Sequence, residues 1–215
     1  NDLKTILILL APFSDSLVGL VVESTYNWYW LVDGLMNKGF KIHLANTTAI
    51  QQYSGLKHGD DDSDANWLAN MLRLEILPEG YIYPKEERML RDLLRKRIQL
   101  VQQRTSNILA MQGLYDRHLN AKLNSYKLKR LTEEQLKRDF EDINVRLAVN
   151  GNLTVQACLS QQIKVIEKLL KQQLGLRDEF INLTSIDGIG LILALTIMLE
   201  TGDIARFNKV GQYAS

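Results

Sequence analysis

Apolar residues dominate positions 3–10 at a spacing that predicts a short helix, closed by Pro12 and the Ser14-Asp15 turn. Residues 17–22 form a continuous apolar run with a single glycine, the pattern of a strand buried on both faces. A helix is predicted over 25–37, with Tyr29, Leu31, Val32, Leu35 and Met36 inward and Gly39 ending it. A second short strand follows at 41–44. Residues 60–74 then read as an amphipathic helix, acidic at its start, burying Leu68, Met71 and Leu72. Strand, helix, strand, helix in this order predicts a parallel α/β sheet.

Beyond Pro78 and Pro84 the pattern turns helical. Residues 86–118 carry Leu90, Leu94, Val101, Ile108 and Met111 near a 3.6-residue period, and Arg88, Arg91 and Arg95 share one stripe of that helix. Thr132 with Gln135 makes a capping box, opening a helix expected to end near Asn150-Gly151. Leu159, Ile163, Ile166 and Leu170 alternate steps of four and three, a brief coiled-coil-like seam. Ile186-Asp187-Gly188-Ile189-Gly190 fits a helix-hairpin-helix turn before an apolar helix at 191–199. In such a turn the glycines expose amides where a phosphate can dock, although an ordinary helix–helix turn has the same pattern.

Composition sharpens this only in part. A hydrophobic share of 46% and a charged share of 24% are those of an ordinary globular chain. No apolar run is long enough to span a membrane. The single cysteine, Cys158, cannot form an internal disulfide, and a cytoplasmic location is expected. His43, His58 and His118 are too scattered for zinc, and no phosphate-binding P-loop or dinucleotide fingerprint occurs. Charge is informative by its distribution: residues 1–84 hold 5 Lys/Arg against 10 Asp/Glu, whereas residues 85–130 hold 12 against 4. An acidic block followed by a basic helical one suggests cation binding and then polyanion binding. A solvated basic helix face is the plainer alternative. Arg88, Arg91, Arg95, Lys96 and Arg97 are the nucleic-acid candidates, expected to give salt-sensitive, sequence-independent contacts. Trp28, Tyr29 and Trp30 are expected in the core rather than stacked on bases.

Glu23 falls at the carboxyl end of the first predicted strand, where an α/β sheet opens its ligand crevice. Asp60, Asp61, Asp62 and Asp64 gather where the later helix begins, and Asp61 and Asp64, three apart, lie on one face of its first turn. A few carboxylates with substrate phosphates suffice for Mg²⁺, which favours hard oxygen ligands. Acids at a helix start also serve as caps and complement the helix dipole, so a purely structural role stands beside the catalytic one.

The stretch Glu23-Ser-Thr-Tyr-Asn-Trp-Tyr-Trp30 resembles the E-[AS]-T-G-x-Y-x-x signature of the IS one-ten transposases, relatives of the Piv and MooV invertases. Lys57 with Asp61-Asp-Ser-Asp64-Ala65 is similar to that family's K-T-D-x-x-D-A motif. The basic helix at 88–104, Ile186-Asp-Gly-Ile-Gly190, and Glu200-Thr-Gly-Asp-Ile-Ala-Arg-Phe207 resemble later family segments in the same order. Two departures stand out: Tyr26 replaces the signature glycine, and Asp60 follows an inserted His58-Gly59 where the family has threonine. The second leaves Asp61 and its neighbours as alternatives for one ligand.

The resemblance implies an RNase H-like, RuvC-type α/β domain with a D-E-D-D metal tetrad. Glu23 would be its second acid, Asp61 its third and Asp64 its fourth, holding Mg²⁺ or Mn²⁺. The first Asp is expected on a strand ahead of Asn1, and the serine of the second domain beyond Tyr213-Ala214, so the 215 residues are expected to be inactive alone. The expected organisation is a RuvC-like domain with basic helices over 1–145, incomplete at its amino end, then a helical arm over 152–180. The start of a helical carboxy-terminal transposase domain is expected over 181–215, with Gly188 and Gly190 contacting nucleic acid. The expected partners are DNA, a structured guide RNA and further copies of the chain, with no membrane. A RuvC-like structure-specific nuclease and a non-catalytic nucleic-acid-binding remnant are the alternatives.

Overall fold

The computed structural model describes residues 2–50 and 60–214 and divides the chain into two compact units, Asn1–Lys85 and Glu86–Ser215. The first unit opens with helix α1 (Leu3–Leu10), started by the Asp2 side chain accepting from the Lys4 amide. Strand β1 (Leu20–Glu23), helix α2 (Tyr29–Met36) and strand β2 (Ile42–Ala45) follow, then α3 (Thr47–Ile50), α4 (Asp61–Arg73) and strand β3 (Glu79–Gly80). β1 and β2 pair in parallel, with Leu20 opposite Ile42 and Glu23 opposite Ala45. β3 joins β2 antiparallel, with Ala45 opposite Glu79.

The parallel βαβ unit is thus present as expected, with shifted limits. Val18 is exposed rather than part of a buried strand, because Leu17 is still hydrogen-bonded to Phe13 in the turn after α1. α2 begins at Tyr29, not at residue 25: the Thr25 amide donates to the Glu23 carbonyl, so the chain bends at Ser24 instead of entering a helix there. Val32 and Leu35 of α2 are buried with Leu44 and Ala45 of β2, but Met36, expected inward, is exposed. α1 meets α2 closely, and a Cβ at Gly34 would collide with the Leu3 side chain. β3, only two residues long, is too short to leave a periodic signal.

The second unit is helical. α5 (Lys85–Leu119) and α8 (Ile143–Leu174) are its long members, joined through α6 (Ser125–Leu128) and α7 (Glu133–Asp139). α9 (Asp178–Thr184), α10 (Leu191–Thr201) and α11 (Val210–Ala214) complete it. The Thr132–Gln135 capping box forms, but its helix ends at Asp139. A new helix is nucleated by Asp142, whose carboxylate accepts from the Asn144 and Val145 amides, and it runs straight through Asn150-Gly151. The expected break is therefore absent: one mid-helix glycine costs only about 1 kcal/mol, which packing along α8 offsets. The expected 145/152 boundary falls inside this continuous helix.

Two apolar clusters hold the unit. In one, Leu94 of α5, Leu170 and Leu174 of α8, Phe180 of α9 and Ala194, Leu195 and Leu199 of α10 are buried together. In the other, Ile108, Met111 and Tyr115 of α5 pack with Leu128, Leu136, Phe140 and Val149. Buried positions on α5 (Leu94, Ile108, Tyr115) and on α8 (Val149, Gln156, Ile163, Leu170) fall at multiples of seven. α10, expected to be buried all round, buries one face and leaves Leu193 exposed.

Candidate active site

Glu23 is the last residue of β1 and is exposed, at the carboxyl edge of the parallel pair. α4 packs against β1 and carries the acidic turn. Within that turn the four aspartates have separate circumstances. Asp60 is the N-cap: its carboxylate accepts from the Ser63 amide at 2.7 Å and the Ser63 hydroxyl at 3.0 Å. Those hydrogen bonds hold its pKa below the usual carboxylate range. Asp61 and Asp62 are exposed in the first turn, while Asp64 is half-buried with Oδ1 sealed from solvent. Asp60 is thus committed to the helix start, and Asp61 and Asp64 remain on one face. Lys57, the other residue of the expected motif, lies outside the described residues.

Carboxylates are the right chemistry for Mg²⁺ or Mn²⁺. Among the described residues, however, no three His, Cys, Asp or Glu side chains are grouped closely enough to hold a metal ion. Glu23, Asp61 and Asp64 are carried by elements in contact, β1 and α4, without forming a closed ligand set. In the same sheet His43 Nδ1 lies 2.8 Å from Glu79 Oε1. That pair bridges β2 and β3.

The basic stripe of α5 is placed differently from a solvated face. Arg88 is only 3% exposed. Arg91 and Arg95 converge on Glu200 of α10: Arg91 Nε donates to Oε2 at 2.7 Å, Arg95 Nε to Oε1 at 2.7 Å, and Arg95 Nη2 to Oε2 at 2.9 Å. The Arg95 and Arg91 guanidiniums hold the Glu200 carboxyl below its ordinary range, against burial, which opposes the shift. Arg97 donates to Glu167 of α8 at 2.6–2.9 Å. Only Lys96 of the five is exposed without a carboxylate contact, its ammonium donating to Gln99. Neither Glu200 nor Glu167 was legible as a partner, because each lies 70 or more residues from its arginine.

Gly188 and Gly190 form the turn between α9 and α10. Gly188 has φ +90°, a left-handed conformation that disfavours side chains, and a Cβ at either glycine would meet nothing within 4 Å. Gly190 caps α10 without a side-chain hydrogen bond.

Residues 2–119, more than half of the chain, match a family model of DEDD transposases of the IS110 (IS one-ten) type, described as "Transposase". Residues 181–215 match a second, described as "Transposase IS116/IS110/IS902 family". The chain belongs to the IS110 transposase family. No curated protein matches it. As an IS110-type transposase it is a DNA-recombining enzyme, and DNA is its substrate. Glu23 and the Asp61–Asp64 turn both fall inside the first matched region, and Gly188, Gly190 and Glu200 inside the second. In this transposase no helix among the described residues is long and apolar enough to cross a membrane.

Proposed function

We propose that this transposase cuts and rejoins DNA at insertion-sequence ends with an RNase H-like, RuvC-type site in which Glu23, Asp61 and Asp64 hold Mg²⁺ or Mn²⁺. The observation that carries the reading is the packing of α4 on β1, which puts its first-turn acids on an element touching the strand that ends in Glu23. With fewer than three carboxylates grouped among the described residues, water, substrate phosphate oxygens or a further acid would complete the shell. When bound, such ions polarise a phosphodiester and stabilise its attacking and leaving oxygens. Asp60 fixes the backbone at the start of α4, on whose first turn Asp61 and Asp64 stand.

In this reading Lys96 and the half-exposed Arg95 contact phosphate, and the amino end of α10, which Gly190 opens without a side-chain cap, offers a second docking point beside the Gly188–Gly190 turn. α8 is the arm through which copies associate. A structured RNA guides target choice, and the protein works in the cytoplasm with the DNA. A RuvC-like nuclease would use the same acids; the match over residues 181–215 favours transposition instead. The test is Mn²⁺ binding by calorimetry. Glu23→Gln and Asp64→Asn should each weaken it at least about tenfold, while Asp62→Asn leaves it near wild type. Unchanged affinity in both of the first two variants sinks the assignment.

A further inference from the structure

Arg91 and Arg95 of α5 are engaged by Glu200 and Arg97 by Glu167, whereas a second group of cations follows at the end of that helix. Between residues 117 and 130 the chain carries Arg117, Lys122, Lys127, Lys129 and Arg130 and no Asp or Glu. All five are exposed, and among the described residues none forms an ion pair. The nearest carboxylates in sequence beyond Arg130, Glu133 and Glu134, begin α7, and Glu133 is engaged by Lys137 at 3.2 Å.

This segment is built rather than loose. Leu128 is fully buried, and Ala121, Leu123 and Leu131 pack around it in the apolar cluster with Tyr115 and Phe140. Asn124 caps α6 by accepting from the Lys127 amide at 2.9 Å, and Gln112 Nε2 donates to the Leu123 carbonyl at 2.9 Å. The cations are therefore held on a fixed backbone. Among them stands Tyr126, 62% exposed, with the Arg130 guanidinium 4.3 Å from its ring centroid and hydrogen-bonded to its hydroxyl. A tyrosine kept out of the core beside unneutralised cations suits a base stacked on the ring with phosphates on the flanking lysines.

We propose that the α5–α8 connection, centred on Tyr126, Lys127, Lys129 and Arg130, binds single-stranded nucleic acid. The ring adds nothing to a duplex, whose bases are already stacked, so strands should be preferred. The inference rests on reading the chain as a protein that handles nucleic acid, but not on the metal site.

The test is fluorescence anisotropy of the full chain with oligo-U and oligo-dT strands of about 15 nucleotides, and with a duplex of similar length. Lys127→Glu with Lys129→Glu should weaken strand binding at least about tenfold at low salt, and reduce the log–log salt slope by about 0.7 for each phosphate no longer neutralised. Tyr126→Ala should weaken strand binding by about fivefold to a hundredfold and leave the duplex unaffected, whereas Tyr126→Phe should retain most of the affinity. Equal weakening on both strands supports a site indifferent to the sugar, and greater weakening on either one supports the site and tells which sugar it prefers. Wild-type affinity and slope in the lysine variant overturn the proposal, as does a wild-type chain that binds no strand. Mn²⁺ binding at Glu23 and Asp64 would then still decide the catalytic reading by itself.

Discussion

Glu200 shows how one carboxylate can change the role of two arginines. Its depressed pKa means its stabilising contribution is complete above the ordinary value of 4.5 and is lost as pH falls through the lower folded value. Glu200→Gln should therefore lower the urea midpoint at neutral pH, and the gap from wild type should close as pH drops below about 4.5. A gap that stays constant across the acid range would mean that the clamp contributes no electrostatic stability. Tyr115 offers a second case. Its hydroxyl donates to Asp139 at 2.8 Å in the core, and burial, then the Asp139 hydrogen bond, pushes its pKa well above the usual phenol range. Tyr115→Phe removes a hydrogen bond to a charged acceptor and should cost about 1.5–3 kcal/mol, read from denaturant unfolding. Glu23 was legible in the sequence because a strand's end is marked by the polar residue that closes an apolar run. Glu200 was not, because a carboxylate closing an apolar run looks the same whether it meets water or two guanidiniums.

At the scale of elements, legibility follows signal length. α1, α4 and α5 were predicted within a residue or two, since caps and long apolar stripes mark them. α8 was predicted broken because Asn150-Gly151 has the composition of a helix end, yet Gly151 is not among the positive-φ glycines and sits mid-helix with open space where a Cβ would go. Gly151→Ala should therefore stabilise by about 0.5–1 kcal/mol, seen as a higher midpoint in far-UV circular dichroism. Destabilisation would show that the helix does break there. Gln156, buried at a seam position between Val149 and Ile163, is a polar residue that the apolar count passed over. Gln156→Leu should raise stability by about 1 kcal/mol in the same assay, as replacing a buried polar side chain in a helical seam commonly does.

For the whole molecule, the parallel β1–β2 pair was legible, and the inward turn of the arginine stripe was not, since it depends on helices more than 60 residues further along. The second unit has its core built from both matched regions: Leu94 belongs to the first, and Ala194, Leu195 and Leu199 to the second. Leu195→Ala should cost about 2–5 kcal/mol and lift hydrogen-exchange protection from the amides of α5 around Leu94, not only from α10. Protection lost in α10 alone would separate the two regions. Far-UV circular dichroism suits the unfolding measurement, because all three tryptophans lie in the first unit.

The clamp of Arg91 and Arg95 on Glu200 also bears on how such proteins can exchange parts. A hybrid gene joined between residues 119 and 181 would take its arginines from one parent and its carboxylate from the other, along with two halves of a shared core. Parents that differ at either half would give progeny with mismatched guanidiniums and an ill-fitting interior. A crossover near Lys85, ahead of the long basic helix, keeps all of these partners on one inherited piece.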